Sequence, residues 1–237
     1  MDRDVRSVED LLRLLDGLFD TTDAGWWDRF YADRSRPVPF FALKPDENLV
    51  SYLDRGLIRP GRALDVGCGP GRNALHLARA GFTVDAVDLS PEAISWASSR
   101  AREAGVEVHF RCGDVFAVDG TYDLIYDSGC FHHLPPHRRI SYLALVARAL
   151  APGGHLALTC FTTDEGSSRP DADFYRTLTL DGGVGYTPDS LRHIFADLAE
   201  VEIRPMREQP ADSPQFGVPF LWTALFRRVT DTTSAAR

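Results

Sequence analysis

The sequence predicts an α/β fold: a doubly wound, mostly parallel seven-stranded sheet with helices on both faces, behind a helical N-terminal segment. Two observations lead to it. Beyond Arg62, short apolar runs alternate with helix-start signals, and consecutive strands joined by helices must lie parallel. The first run ends at Asp65-Val66 in a glycine-rich turn, Gly67-Cys68-Gly69-Pro70-Gly71, with a helix opening directly after it. At 237 residues, 44% hydrophobic and 25% charged, the chain has the size and composition of a globular domain with a good-sized core.

Ser7-Val8-Glu9-Asp10 is a capping signal for a helix that places Leu11, Leu12, Leu14, Leu15, Leu18 and Phe19 on one broad face. An aromatic segment follows, Trp26 to Tyr31, then a non-helical stretch from Arg34 to Phe41 broken by Pro37 and Pro39. Pro45-Asp46-Glu47 opens a helix that runs through Leu53 and stops near Gly56. Residues 1–56 therefore read as a helical, aromatic lid segment ahead of a main domain at 57–229. The small polar residues of 230–237 read as a disordered tail. Within the main domain, strands are expected at Arg62–Val66, Phe82–Asp88, Val106–Cys112 and Tyr122–Asp127. A helix ending near Ala149 and a Pro152-Gly153-Gly154 turn lead into the fifth, His155–Leu158. Residues 162–185 are polar and glycine-rich, the composition of a loop that can act as a lid. Thr187-Pro188 starts another helix with Thr187 as its cap, and strands near Val201–Arg204 and Phe220–Arg227 complete the sheet.

The glycine turn carries the chemistry. Glycine lets the chain turn tightly and approach a ligand with no Cβ in the way. The helix start adds unpaired N–H groups and a positive dipole end. That combination describes a nucleotide-type cofactor loop. Its spacing, Asp65-x-Gly67-x-Gly69-x-Gly71, differs from the G-x-G-x-x-G of dinucleotide loops. An acid before the first glycine is a poor neighbour for a pyrophosphate and a good one for a ligand carrying an ammonium and a sulfonium. The pattern favours S-adenosylmethionine. Asp88, 21 positions beyond Gly67, ends the second apolar run where an acid can reach both ribose hydroxyls. It also begins the turn before a helix capped by Ser90. The third run ends in Gly113-Asp114, where Asp114 can accept from an adenine amino group while Leu89, Val115 and Phe116 cover the ring. A plain Gly-Asp turn is the alternative.

In this order the segments resemble the class I S-adenosylmethionine-dependent methyltransferases, from roughly Arg62 to Phe161. The front of the chain, with Trp26, Trp27 and Tyr31, is faintly similar to the thiopurine and tellurite-resistance methyltransferases. The resemblance implies a Rossmann-like fold with an antiparallel last strand and one cleft at the carboxyl ends of the strands. It implies that Asp65, Gly67, Cys68, Gly69 and Gly71 face the methionine portion, with Asn73 beside them. It assigns Asp88 to the ribose and Asp114 with Val115 to the adenine. Asp127 and Ser128 lie beside the methionine part and open onto the acceptor, and Trp27 belongs to the cover.

Methyl transfer from a sulfonium is an in-line displacement, so the protein supplies positioning, exclusion of water and, for a protic nucleophile, a base. His132, His133 and Tyr31 are the base candidates, although a His-His-Leu-Pro stretch serves equally well to hold its loop. The function implied is methylation of an O, N or S centre of a small molecule. The alternative is a non-catalytic S-adenosylmethionine-binding regulatory or partner protein. A formal charge of −8 argues against nucleic acid as a partner. Four cysteines without a C-x-x-C pair give no zinc or disulfide pattern. No stretch reaches membrane length and Met1–Asp4 lacks a signal peptide's apolar core, so a cytoplasmic setting without membrane partners is expected. The basic pieces Arg100-Ala101-Arg102 and His137-Arg138-Arg139 are expected on helix surfaces.

Overall fold

The computed structural model describes residues 5–19 and 24–230. Its sheet has seven strands in the order β3-β2-β1-β4-β5-β7-β6. Strands β1 (Arg62–Val66), β2 (Thr83–Asp88), β3 (His109–Cys112), β4 (Tyr122–Ser128) and β5 (Leu150–Phe161) run parallel. β7 (Leu221–Arg227) lies antiparallel between β5 and β6 (Ala199–Pro205). The chain winds from β1 outward to β3, then crosses back to β4 on the other side of β1. This reversal parts the connections above β1 and β4 and opens a crevice at their carboxyl ends.

Both faces of the sheet are covered, which is why its strands read as near-continuous apolar runs. Leu64, Val66, Ile125, Leu156 and Leu158 pack against Tyr142 and Leu145 of α6 (Arg138–Ala149) and Leu191 of α8 (Pro188–Ile194). Ala63, Leu124, Tyr126 and Ala157 pack on the opposite face. There they meet Leu49 and Tyr52 of α3 (Glu47–Asp54) and Ala74 and Leu77 of α4 (Arg72–Arg79). Each such buried large side chain contributes about 1.5–3 kcal/mol. The helix starts behave as their sequences require. The Ser90 Oγ accepts from Ala93 N at 3.1 Å to cap α5 (Pro91–Ala104), and Thr187 with Ser190 forms a reciprocal capping box on α8.

The structure departs from expectation in several places. In α1 (Val8–Asp16) and its C-terminal turn only Leu12 and Phe19 are buried, while Leu11, Leu14 and Leu18 are exposed. α1 docks by one edge, through Glu9 and Asp16 accepting from Arg138 and Asp16 accepting from His137. The aromatic segment is itself a helix, α2 (Ala24–Ala32). β5 begins at Leu150 and runs through Pro152-Gly153-Gly154, where a register shift against β4 and a φ of +79° at Gly153 accommodate the irregularity. The insertion after β5 holds a helix, α7 (Asp171–Thr177), and is pinned by backbone bridges pairing Thr162 with Tyr186 and Ser167 with Val184. Arg100 and Arg138 turn inward rather than outward. Arg100 donates to the carbonyls of Pro70 and Phe41, and Arg138 is 9% exposed against its two acids. Apart from Thr230, the expected tail lies outside the described residues. Among the described residues no helix is long and apolar enough to cross a membrane.

Candidate active site

A cavity of about 450 Å³ opens beyond the carboxyl ends of β1, β2, β4 and β5, a size ordinary for small-molecule sites. The glycine turn forms one wall. Gly69 has φ +50°, and a Cβ there would lie 2.9 Å from the Tyr31 hydroxyl. Gly71, with φ +81°, precedes the first residue of α4, and a Cβ on it would press on Ala97 and Leu75. Both positions need glycine twice over, for backbone conformation and for space.

Two carboxylates border this turn. Asp88 accepts from Gly69 N at 2.8 Å and from Ser90 N at 2.9 Å, so it braces the turn as well as facing the cleft. Burial raises its pKa, and the backbone donors oppose that rise. Asp65 is 1% exposed and its Oδ2 has no partner. Burial drives its pKa up to about 8 despite the nearby Arg72 guanidinium.

Arg72 and Asp46 escaped the sequence reading. Arg72 donates to Asp46, to the Lys44 carbonyl at 3.1 Å and to Ser128 Oγ at 2.8 Å, with Phe216 stacked on its guanidinium. Asp46 also accepts from Asn73 Nδ2 at 3.0 Å, Tyr126 Oη at 2.7 Å and Ser128 Oγ at 2.7 Å. This buried network ties α3 and α4 to β4 beneath the cleft. A signal for it existed: an arginine in the first turn of a helix opposes the dipole, so it needs an acid elsewhere.

The far half of the cleft is aromatic. The Asp28 carboxylate accepts from Ser90 Oγ and Glu92 N, both at 2.9 Å, and so fastens α2 onto the start of α5. That docking lays Trp27 and Tyr31 over the glycine turn, and Pro39 and Phe40 extend the roof. Thr159 and Phe161 come from β5, and the β6–β7 connection adds Phe216, Val218 and Phe220. His132 stacks on Phe161 with ring centroids 3.7 Å apart, and its Nε2 lies 3.1 Å from the His133 Nε2. Burial lowers both imidazoles, His133 to about 4 and His132 well below its usual value. Burial and the Asp88 charge hold the Tyr31 phenol well above its usual value.

The cleft thus brings together Asp65, Gly67, Cys68, Gly69, Asn73 and Asp88 with Leu89, Ser128, Trp27, Tyr31, His132 and His133. Gly71, Asp114, Val115 and Asp127 stand behind or beside it. Asp127 accepts from Cys130 N, Phe131 N and Tyr142 Oη, on the sheet face away from Tyr126. Asp114 caps a short 3-10 turn by accepting from Phe116 N at 2.8 Å, and Val115 packs toward the core.

This arrangement fits S-adenosylmethionine: an orphaned buried carboxylate for an ammonium, an acid beside the turn for a diol, and a turn stripped of side chains between them. Comparison with known proteins agrees. Residues 63–154 match the family model described as a methyltransferase domain. The chain is 30% identical over 223 residues to the 27-O-demethylrifamycin SV methyltransferase of Amycolatopsis mediterranei, covering 91% of this chain and 77% of that one. The chain belongs to the S-adenosylmethionine-dependent methyltransferases. This methyltransferase is also 34% identical over 143 residues to the 2-heptyl-1-hydroxyquinolin-4(1H)-one methyltransferase of Mycobacteroides abscessus. That match covers 59% of the chain and spans only 61% of the relative. A solved structure concerned with conversion of a disulfide bond into a thioacetal group during echinomycin biosynthesis superimposes on the methyltransferase with TM-score 0.59 at 28% identity. It covers 81% of this chain and 85% of that one.

Proposed function

We propose that this protein transfers the methyl group of S-adenosylmethionine to an oxygen, nitrogen or sulfur centre of a small molecule. The observation that carries the reading is that one cavity joins Asp65, whose buried Oδ2 has no partner, and the glycine turn to an aromatic chamber holding two histidines that burial keeps neutral. S-adenosylmethionine, when bound, supplies a methyl group on a sulfonium, which asks of the protein alignment and dryness. Asp65 receives the ammonium, with Gly67, Cys68 and Asn73 beside it. Asp88 receives the ribose diol, and Leu89 leads toward Asp114 and Val115 at the adenine end, where Gly113 N already donates to the Asp88 carbonyl at 2.9 Å. Gly71 holds the turn against α5, and Asp127 holds the loop that follows Ser128. Tyr31, with its phenol kept neutral beside Asp88, seals the turn with Trp27 and takes no proton. His132 and His133 remain as the base.

Two relatives are named for methylating small molecules, which supports an acceptor of that kind. Net charge of −8 speaks against nucleic acid. The four cysteines are free thiols, which suits a reducing cytoplasm. Calorimetric titration with S-adenosylmethionine, S-adenosylhomocysteine and NAD tests the reading. Micromolar binding of the first two and none of NAD is expected, with affinity reduced about 100-fold or more in Asp88→Ala. Wild-type protein that ignores both sulfur compounds would overturn it, and binding without turnover on a broad acceptor panel would favour a regulatory protein.

A further inference from the structure

We infer that Glu165 sets the charge selectivity of the acceptor half, turning away anionic molecules and favouring those that present a positive or uncharged group. This rests on the methyltransferase reading above. Glu165 lies on the cleft wall in the turn that follows β5, just beyond Phe161. Backbone bonds set that turn among the acceptor rings. Thr162 N donates to the Phe220 carbonyl at 3.0 Å, and Tyr186 N donates to the Phe161 carbonyl at 2.9 Å.

The turn is seated tightly. Gly166 N donates to the Thr162 carbonyl at 2.9 Å. Backbone bridges pair Thr162 with Tyr186 on one side of Glu165 and Ser167 with Val184 on the other. Between them Gly166 rests directly on Gly185. A Cβ on Gly166 would come 2.5 Å from Gly185 N, and one on Gly185 would come 2.7 Å from the Gly166 carbonyl. Two backbones this close leave room for glycine alone, so the stem of Glu165 starts from a fixed place on the wall.

The carboxylate at the end of that stem is exposed and has no hydrogen-bond or ion-pair partner among the described residues. The arginines of neighbouring elements are engaged elsewhere. Arg139 pairs with Asp171 at 2.6 Å, Arg169 with Asp181 at 2.5 Å, and Arg72 with Asp46. The other two carboxylates on the wall, Asp65 and Asp88, belong to the cofactor half. Glu165 is therefore the one ionised group of the acceptor half, among the described residues, that is left without a partner.

The surrounding rings act in the same direction. Trp27, Phe161 and Phe220 line the chamber, and the negative faces of such rings hold a cation and disfavour an anion. An anionic acceptor would give up water on entry and meet a carboxylate where it needs a cation. An ammonium group would meet the opposite charge. Glu165 keeps much of its own water, so its effect is about two- to fivefold in affinity for each unit of acceptor charge.

The test uses full-length protein saturated with S-adenosylhomocysteine and three naphthalene probes that differ in charge: 1-naphthylmethylammonium, 1-naphthylmethanol and 1-naphthoate. Calorimetry should show the amine binding at least tenfold tighter than the carboxylate, with the alcohol between them. In Glu165→Gln the amine-over-carboxylate ratio should fall at least fourfold, while the alcohol stays within about twofold. Raising sodium chloride from about 50 to about 500 mM should shrink the ratio in wild type and leave it level in the variant. A ratio that ignores the substitution or the salt overturns the assignment. So does a carboxylate that binds wild type as well as the amine does, or failure of all three probes while S-adenosylhomocysteine binds. A variant that loses S-adenosylhomocysteine affinity as well would show that Glu165 acts through the fold and not through charge. Failure of S-adenosylhomocysteine on wild type would instead sink the cofactor reading.

Discussion

The two halves of the cleft are built by opposite means. The cofactor half comes mostly from one stretch of chain, Asp65 to Leu89, and its essential parts are positive-φ glycines, backbone N–H groups and the two carboxylates that border them. The acceptor half comes from α2, the turn at Pro39–Phe41, the loop after β4, the end of β5 and the β6–β7 connection. It is made of side chains standing on elements far apart in sequence. A backbone-built half tolerates almost no substitution, whereas a side-chain-built half can be re-lined one ring at a time. The same sheet can thus hold one cofactor and change its acceptor.

The sharpest way to break that contrast is Gly69→Ala. Its Cβ would lie 2.9 Å from the Tyr31 hydroxyl at a φ of +50°, so S-adenosylhomocysteine affinity should fall about 100-fold or more. Adding Tyr31→Phe removes the clashing oxygen and should restore about tenfold, leaving backbone strain on the order of 1 kcal/mol. No recovery in calorimetry would mean that α2 does not rest on the turn in solution.

Asp65→Asn comes next, with an affinity loss of about 10- to 100-fold and an opposite effect on stability. With its folded-state pKa raised to about 8, Asp65 keeps a proton that the unfolded chain gives up at ordinary carboxylate pH. Stability is therefore present at low pH and lost as pH rises between about 4 and 8. The amide escapes that loss. Thermal unfolding should show Asp65→Asn melting several degrees above wild type at pH 8 and level with it at pH 4. The bound ammonium needs the carboxylate form, so wild-type affinity for S-adenosylmethionine should climb with pH and level off above about 8. A pH-independent affinity would show that Asp65 is not the ammonium's partner.

The smallest effect belongs to the other half. Phe220→Ala, at a ring 38% exposed, should raise the acceptor KM about three- to tenfold while leaving S-adenosylhomocysteine affinity unchanged. A matching loss of cofactor affinity would mean that the halves are not separable.

What could be read from the chain follows the same division. Strand-length apolar runs, the glycine turn, Ser90 and Thr187 as caps, and Asp88 at a strand end are local features, and local sterics and hydrogen bonding decide them within a few residues. The leucines of α1 show where that stops. Helical periodicity put six apolar side chains on one face, yet nothing local says how wide a surface the rest of the protein offers. Arg100 and Arg138 turn inward for the same reason, because their partners lie in other segments.

The sequence by itself determined the sheet and its winding, the cofactor turn and the kind of ligand that turn accepts. These depend on backbone conformation, which short stretches specify. Only the tertiary structure decided that Arg72 is occupied by Asp46 and that Asp127 faces away from Tyr126. It also decided that His132 Nδ1 is buried without a partner, and which rings close the acceptor chamber. Each of those depends on a distance between side chains from separate elements, and packing alone sets such distances.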